Sequence, residues 1–265
     1  MVWIRLCVFC ILSLSMTGSI SHVLARLAGS LPHRNNPVLR LTLQKLSLFL
    51  YWIPISYMCI CVPRISLQNK KVVFTGEFMC STVPTLTAAF GLLGGAWLVG
   101  FVLAVFRSGR KQWRLIRLMR GTVPVENPRY CALFEKYKKE FGLDGIALGQ
   151  NDLLTTPVAT GVFGRQQVIL PFAAYTDTEI RMIYEHELTH ICQKDLCWRL
   201  FALVTSWVHW FNPAVSRQLR ELDCAQEIVC DLRVSTDNAH FSKKEYMAFL
   251  AKLAEQEPIN VCTTA

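Results

Sequence analysis

The chain has 265 residues, 52% of them hydrophobic, with a positive mean hydropathy and a formal net charge of +9. That is too apolar for an ordinary soluble domain and implies membrane spans. The basic excess sits beside apolar runs, where anionic lipid head groups are the simpler partner, so no direct nucleic-acid binding is expected.

Taken in chain order, three apolar segments come first. Val2 to Ile20 is apolar apart from Arg5. A cleaved signal peptide shares this character, but no clean small-x-small cleavage site follows. Leu41 to Val62 is apolar apart from Lys45, which can snorkel at an end, and Pro54 would kink it. Phe78 to Phe106 carries no charged residue and exceeds the ~20 residues needed to cross a bilayer. Its Gly91, Gly94 and Gly95 suit a helix–helix contact. The expected organisation is a transmembrane region over 1–106, with about three helices near 2–20, 41–62 and 83–106. A membrane-associated domain over 107–265 follows.

Charge sets the expected orientation. No Asp or Glu precedes Glu77. Arg26, Arg34, Arg40 and Lys45 mark the first loop, and Arg107, Arg110, Lys111, Arg114, Arg117 and Arg120 follow the third segment without an acid among them. Cytoplasmic loops are enriched in Lys and Arg. The chain therefore reads as a multi-pass protein of the cell membrane, N-terminus outside, with everything after Phe106 in the cytoplasm. The cysteines there, Cys192, Cys197, Cys224 and Cys230, are expected as reduced thiols, small buried hydrophobes in preference to thiolate metal ligands.

Pro128 to Phe141 reads as a helix that Gly142 ends. Between Gly145 and Leu170, β-prone pieces at Ile146–Leu148, Val158–Phe163 and Gln167–Leu170 alternate with Gly, Asn, Asp and Pro. Two or three short strands are expected there. Either of the last two pieces could be an edge to which an extended peptide adds. Thr176 or Asp177 is placed to cap the next helix, Ile180 to Leu203.

That helix carries His186-Glu187-Leu188-Thr189-His190. Residues four apart share a helix face, so the two imidazoles stand side by side as a metal ion needs. Glu187 lies close enough to hold a water and take its proton. Zinc accepts nitrogen ligands in tetrahedral geometry and keeps one position open in a catalytic site. The bland alternative is a helix with two incidental histidines. Against it, the chain has only six histidines and two fall at ligand spacing. Cys197 to Val215 is apolar but interrupted by Arg199, His209 and Asn212-Pro213, and reads as a buried or interfacial helical hairpin rather than a crossing. His209 reads as structural.

Arg220 to Arg233, RELDCAQEIVCDLR, is a further helix. Glu227 and Asp231, four apart on it, project the same way. A carboxylate commonly completes a two-histidine zinc site, and a second acid can hold the far nitrogen of a ligand histidine. Glu221 and Asp223 compete for these roles. An amphipathic helix is expected from Lys243 to Glu255.

The stretches EHELTHICQKDL, HWFNPAV and RELDCAQEIVCD together resemble the M56 family of membrane-embedded metallopeptidases, to which the antibiotic-sensing BlaR and MecR receptors belong. The matching elements are HExxH, Lys194-Asp195, Trp210-Phe211-Asn212-Pro213 and the ExxxD pair Glu227 and Asp231. The resemblance covers roughly residues 85 to 240. It implies one zinc ion per chain held by His186, His190 and Glu227, with Glu187 as general base and Asp231 as supporting acid. The implied fold is a mainly α membrane protein, its transmembrane helices followed by a cytoplasmic α+β, gluzincin-like zinc peptidase domain with a small sheet and the HExxH helix. The implied activity is endoproteolysis of a cytoplasmic transcriptional repressor, with self-cleavage and homodimerisation in prospect. The sensor-bearing relatives carry an extracellular penicillin-binding domain beyond the peptidase. This chain stops before it and does not carry the Ser-x-x-Lys, Ser-x-Asn and Lys-Thr-Gly set together, so no β-lactam binding is expected. The competing function is a non-catalytic membrane signalling or scaffold protein with a retained zinc site. The intact Glu187 speaks against it, because a structural site needs no base.

Overall fold

A computed structural model of the chain describes residues 2–29, 36–53, 66–68, 71–73, 84–162, 164, 166–236 and 240–256. The protein is mainly helical with a small mixed sheet. Its helices are α1 (Val2–Gly29), α2 (Pro37–Phe49), α3 (Pro84–Met119), α4 (Pro128–Glu140), α5 (Asp177–Cys192), α6 (Asp195–Val208), α7 (Pro213–Thr236) and α8 (Lys243–Gln256). The strands β1 (Ser66–Gln68) and β2 (Lys71–Val73) form an antiparallel pair. The strands β3 (Val123–Pro124), β4 (Ala147–Asn151), β5 (Val158–Thr160) and β6 (Gln167–Pro171) form one sheet in the order β3-β4-β6-β5.

Two compact units emerge. One comprises Met1–Gly109 and Phe201–Asp223, the other Arg110–Leu200 and Cys224–Ala265. The Phe201–Asp223 stretch thus groups with the first unit, whereas the sequence pattern assigns it to the second.

In the first unit, two helices are long and apolar enough to cross a membrane among the described residues, over Cys10–Gly29 and Ala88–Arg114. Along α3 the side chains of Leu92, Leu98, Val99, Val102 and Phe106 are exposed. An open apolar surface of that length suits lipid, not water. The segment expected to span near 41–62 is the short helix α2 followed by a 3-10 turn at Leu50–Trp52. Its remainder, from residue 54, lies outside the described residues.

Polar side chains pin this unit together. Asn212 opens α7 by accepting the Ala214 N–H, and its amide donates to Ser15 Oγ at 2.7 Å and Ser19 Oγ at 2.8 Å on α1. The Asn-Pro element is therefore both a helix start and an anchor. Gln218 donates to Ser47 Oγ at 2.6 Å on α2. Glu221 accepts from Gln44 at 3.1 Å and pairs with Arg26 at 3.2 Å, which accounts for one of the acids that competed for the metal. His209 is buried with its ring 5.3 Å from that of Tyr51, in keeping with a structural role.

The second unit builds its core on β6. Val168, Ile169 and Leu170 are fully buried, as expected of a strand with neighbours on both sides. β4 runs parallel to β6 and β5 antiparallel. Of the two pieces that could offer an edge, β5 is the edge strand and β6 is internal. Helix α5 lays Ile180, Ile183, Tyr184, Leu188 and Ile191 into this core, the spacing of an apolar helix face. Phe134 and Tyr137 of α4 and Tyr246 and Phe249 of α8 close it. A capping box starts α5: Thr176 Oγ1 accepts the Glu179 N–H, and Glu179 accepts the Thr176 N–H at 2.8 Å.

The pattern predicts one helix from Ile180 to Leu203. The structure breaks it after Cys192, where Lys194 adopts φ 56°, and restarts it at Asp195. A left-handed residue ends a helix by turning the chain out of its axis.

Candidate metal centre

His186, Glu187 and His190 project from the last two turns of α5, the histidines half-buried beside its core face and Glu187 buried along it. The two imidazole rings meet edge to face with centroids 4.7 Å apart, and their Nε2 atoms are 3.1 Å apart. Glu227 Oε2, from α7, lies 3.6 Å from His186 Nε2 and 3.4 Å from His190 Nε2.

Both rings are held from behind. His190 Nδ1 lies 3.0 Å from Asp195 Oδ2. Asp195 is buried, and its other oxygen accepts from Gln226 Nε2 at 3.0 Å. The break at Lys194 is what turns Asp195 back towards His190. His186 Nδ1 lies 2.8 Å from the hydroxyl of Tyr246 on α8, and that hydroxyl donates to Asp231 Oδ1 at 2.8 Å. Asp231 itself is 3.5 Å from Nδ1. An ionised carboxylate can only accept, so each Nδ1 carries the ring proton and each Nε2 keeps its lone pair.

With both rings in that neutral form, two nitrogen lone pairs and a carboxylate oxygen face one another. Such an arrangement repels itself unless a cation sits there. The electrostatics agree. Burial pushes His186 and His190 down, but hydrogen bonds outweigh it. Those from Cys230 and Glu227 raise His186 to about 10, and those led by Asp195 raise His190 to about 12. Burial pushes Glu227 up, yet the two histidines hold it well below the usual carboxylate range. Without metal these shifts favour protonated rings beside an ionised Glu227, so a cation bound at the two Nε2 atoms would take the place of protons. The geometry fits zinc: bonds of about 2.0–2.1 Å in a tetrahedron put ligand atoms roughly 3.3–3.4 Å apart. The three observed separations of 3.1, 3.4 and 3.6 Å bracket that value.

A second triplet shares the same histidines. His186, His190 and Cys230 offer ligand atoms within 4.8 Å of one another. The Cys230 thiol lies 3.6 Å from His186 Nδ1, also bears on His190, and donates to the His186 carbonyl at 3.4 Å.

Glu187 is buried, and the backbone N–H of Ala159 on β5 is close enough to favour its ionised form. Burial raises its pKa, and the neighbouring histidines oppose that rise. The histidines and Glu187 open into a cavity of about 780 Å³. Pro157 with Val158 and Ala159 of β5 lines one part of it, and Phe249, Leu250 and Leu253 of α8 line another. A cavity of that size takes a peptide segment.

The structure therefore gathers all five predicted site residues, His186, Glu187, His190, Glu227 and Asp231. Asp195 was visible beforehand only as part of a motif, without a role. Tyr246 and Gln226 carried no signal. Tyr246 sits on an amphipathic helix where a tyrosine is ordinary, and Gln226 acts only through Asp195.

Among known proteins, a profile of the BlaR1 peptidase M56 family matches residues 58–264. Methicillin resistance mecR1 proteins from Staphylococcus aureus and Staphylococcus epidermidis are each 29% identical over 178 residues, 62% of this chain. The chain spans 29% of the length of these curated relatives. The matched region contains the HExxH helix, the Asn-Pro anchor and the Glu227 helix, and with it the chain belongs to the BlaR1-type M56 peptidase family.

Proposed function

We propose that the chain is a membrane-embedded zinc endopeptidase whose ion is held by His186, His190 and Glu227. The convergence of His186 Nε2, His190 Nε2 and Glu227 Oε2 carries this reading. Glu227 is preferred to Cys230 because its oxygen lies within 3.6 Å of Nε2 on both rings, whereas the thiol lies 3.6 Å from His186 Nδ1 and donates to a helix carbonyl. Zinc, when bound, supplies Lewis acidity that polarises a peptide carbonyl and acidifies water.

The chain's own residues do the rest. Glu187 takes a proton from the attacking water and passes it to the leaving amine. Its raised pKa suits a group that must hold the proton between the two events. The Ala159 N–H favours the ionised carboxylate electrostatically. Asp195 and the Tyr246–Asp231 pair keep both Nε2 atoms unprotonated. The outer edge of β5 offers an extended peptide a place to add as a strand across the cavity.

The substrate is a cytoplasmic repressor-type protein, and the chain itself is a second substrate. The relatives' link to methicillin resistance and the family's membership support regulatory rather than degradative proteolysis. The basic stretch after α3's apolar part supports a peptidase domain on the cytoplasmic face.

The test measures zinc and peptide hydrolysis on detergent-purified wild type, Glu227→Ala and Glu187→Gln. About one zinc per chain in wild type, its loss in Glu227→Ala, and a zinc-loaded but inactive Glu187→Gln are expected. A Glu187→Gln chain that cleaves as well as wild type sinks the catalytic assignment. Metal retained by an inactive wild type would favour the scaffold reading.

A further inference from the structure

We propose that Tyr246 is a positioning residue for His186, relaying the charge of Asp231 to a ring that Asp231 does not itself reach. The inference rests on the metal assignment above. At 3.5 Å, Asp231 Oδ1 is beyond good hydrogen-bond distance of His186 Nδ1. The Tyr246 hydroxyl fills the gap, 2.8 Å from each.

The direction of both bonds follows from donor chemistry. The carboxylate has only lone pairs, so the hydroxyl proton goes to Asp231. The hydroxyl oxygen is then left to accept, and the Nδ1 proton goes to it. Those two steps lock His186 as the tautomer with a free Nε2. The two histidines thus reach the same state by different means. His190 leans directly on Asp195, and His186 leans on Asp231 through a phenol.

The relay is rigid because its ring cannot move. Tyr246 is 1% exposed and stacks on Phe241 with centroids 6.0 Å apart. Its helix is tied at both ends. Ser242 and Glu245 form a capping box at the start, and Lys252 Nζ bonds Glu179 Oε1 at 2.6 Å across to α5. The helix that walls the cavity therefore also sets the orientation of a metal ligand.

The test uses the full chain in detergent. Zinc dissociation constants come from competition with a chromophoric chelator for wild type, Tyr246→Phe, Asp231→Asn and the double variant. Cobalt-substituted spectra report the ligand field. Tyr246→Phe keeps the buried ring, and thermal melts check the fold. Asp231 is partly exposed, so Asp231→Asn carries the test alone if the core variant does not fold. Each single change is expected to weaken zinc 10–100-fold with an altered cobalt spectrum, the range for partners behind a ligand. The double variant should be no weaker than the worse single one, because both changes cut one relay. Two outcomes overturn the relay while leaving the peptidase reading intact: Tyr246→Phe within twofold of wild type, or losses that multiply in the double variant. A wild type that binds no zinc overturns both.

Discussion

Replacing Asp195 by Asn changes one atom's chemistry at nearly constant shape, and the structure says what that costs. One carboxylate oxygen faces His190 Nδ1 at 3.0 Å and the other faces Gln226 Nε2 at 3.0 Å, both of them donors. An asparagine has one acceptor and one donor end, so either orientation sets two N–H groups against each other. Pointing its NH₂ at His190 forces the ring proton to Nε2, which removes the lone pair a metal needs. Pointing it at Gln226 strands a buried donor instead. Loss of a partner behind a ligand weakens metal binding 10–100-fold. At about 1.4 kcal/mol per tenfold, that is about 1.4–2.7 kcal/mol. The stranded alternative costs about 1–3 kcal/mol of fold stability. Asp195→Asn should therefore lose at least tenfold in zinc affinity or melt several degrees lower without metal. Chelator competition and thermal melts with and without zinc read the two routes separately. Zinc affinity within twofold of wild type together with an unchanged metal-free melt would refute the reasoning.

Three further outcomes follow from other parts of the molecule. Burial alone would raise the pKa of Glu179, but hydrogen bonds from Lys252 and Thr176 outweigh it and hold the carboxylate below its usual range. Its stabilisation is thus complete above the ordinary value of about 4.3 and fades as pH falls through the depressed one. Glu179→Gln should melt below wild type at pH 7, and the gap should close as pH falls below ~4. Melting curves that stay parallel over that range would contradict the sign. In the first unit, a Cβ at Gly18 would overlap the ring of buried Tyr51, whereas one at Gly95 meets nothing within 4 Å. Gly18→Ala should lower stability in detergent by about 1–3 kcal/mol, while Gly95→Ala is neutral or better. Equal effects of the two would remove the packing argument. Leu188→Ala, between the two histidines but on the core face of α5, should cost about 2–5 kcal/mol and lower zinc occupancy only through unfolding. A folded Leu188→Ala chain with weakened zinc binding would show that the two faces of α5 are not separable.

The parts of this protein that a sequence reveals are those written in periodicity or in reactive side chains. His186 and His190 are four apart on a helix, and the structure puts their Nε2 atoms 3.1 Å apart. Val158 and its neighbours alternate and break like a strand, and they form one. Gly142 and Thr176 are local punctuation and stand where helices end and begin. The break at Lys194 was not legible, because a lysine in the left-handed region leaves no mark on composition or hydrophobic period. Nor was the relay through Tyr246, since it depends on where α8 docks, a tertiary fact. The charge pairing of Glu221 with Arg26 was hidden for the same reason: a long-range contact chose among four plausible acids.

The nearness of the Ala159 N–H to Glu187 has a consequence for how this site tolerates drift. A backbone donor is supplied by every residue type but proline, so the side chain at position 159 can vary while the base stays aimed. What cannot vary is phase. A one-residue slip of β5 against Val168 and Gln167 would reverse which groups face Glu187 and release it. Insertions and deletions in the loops flanking β5 should therefore be far more damaging than any single replacement within it, proline apart.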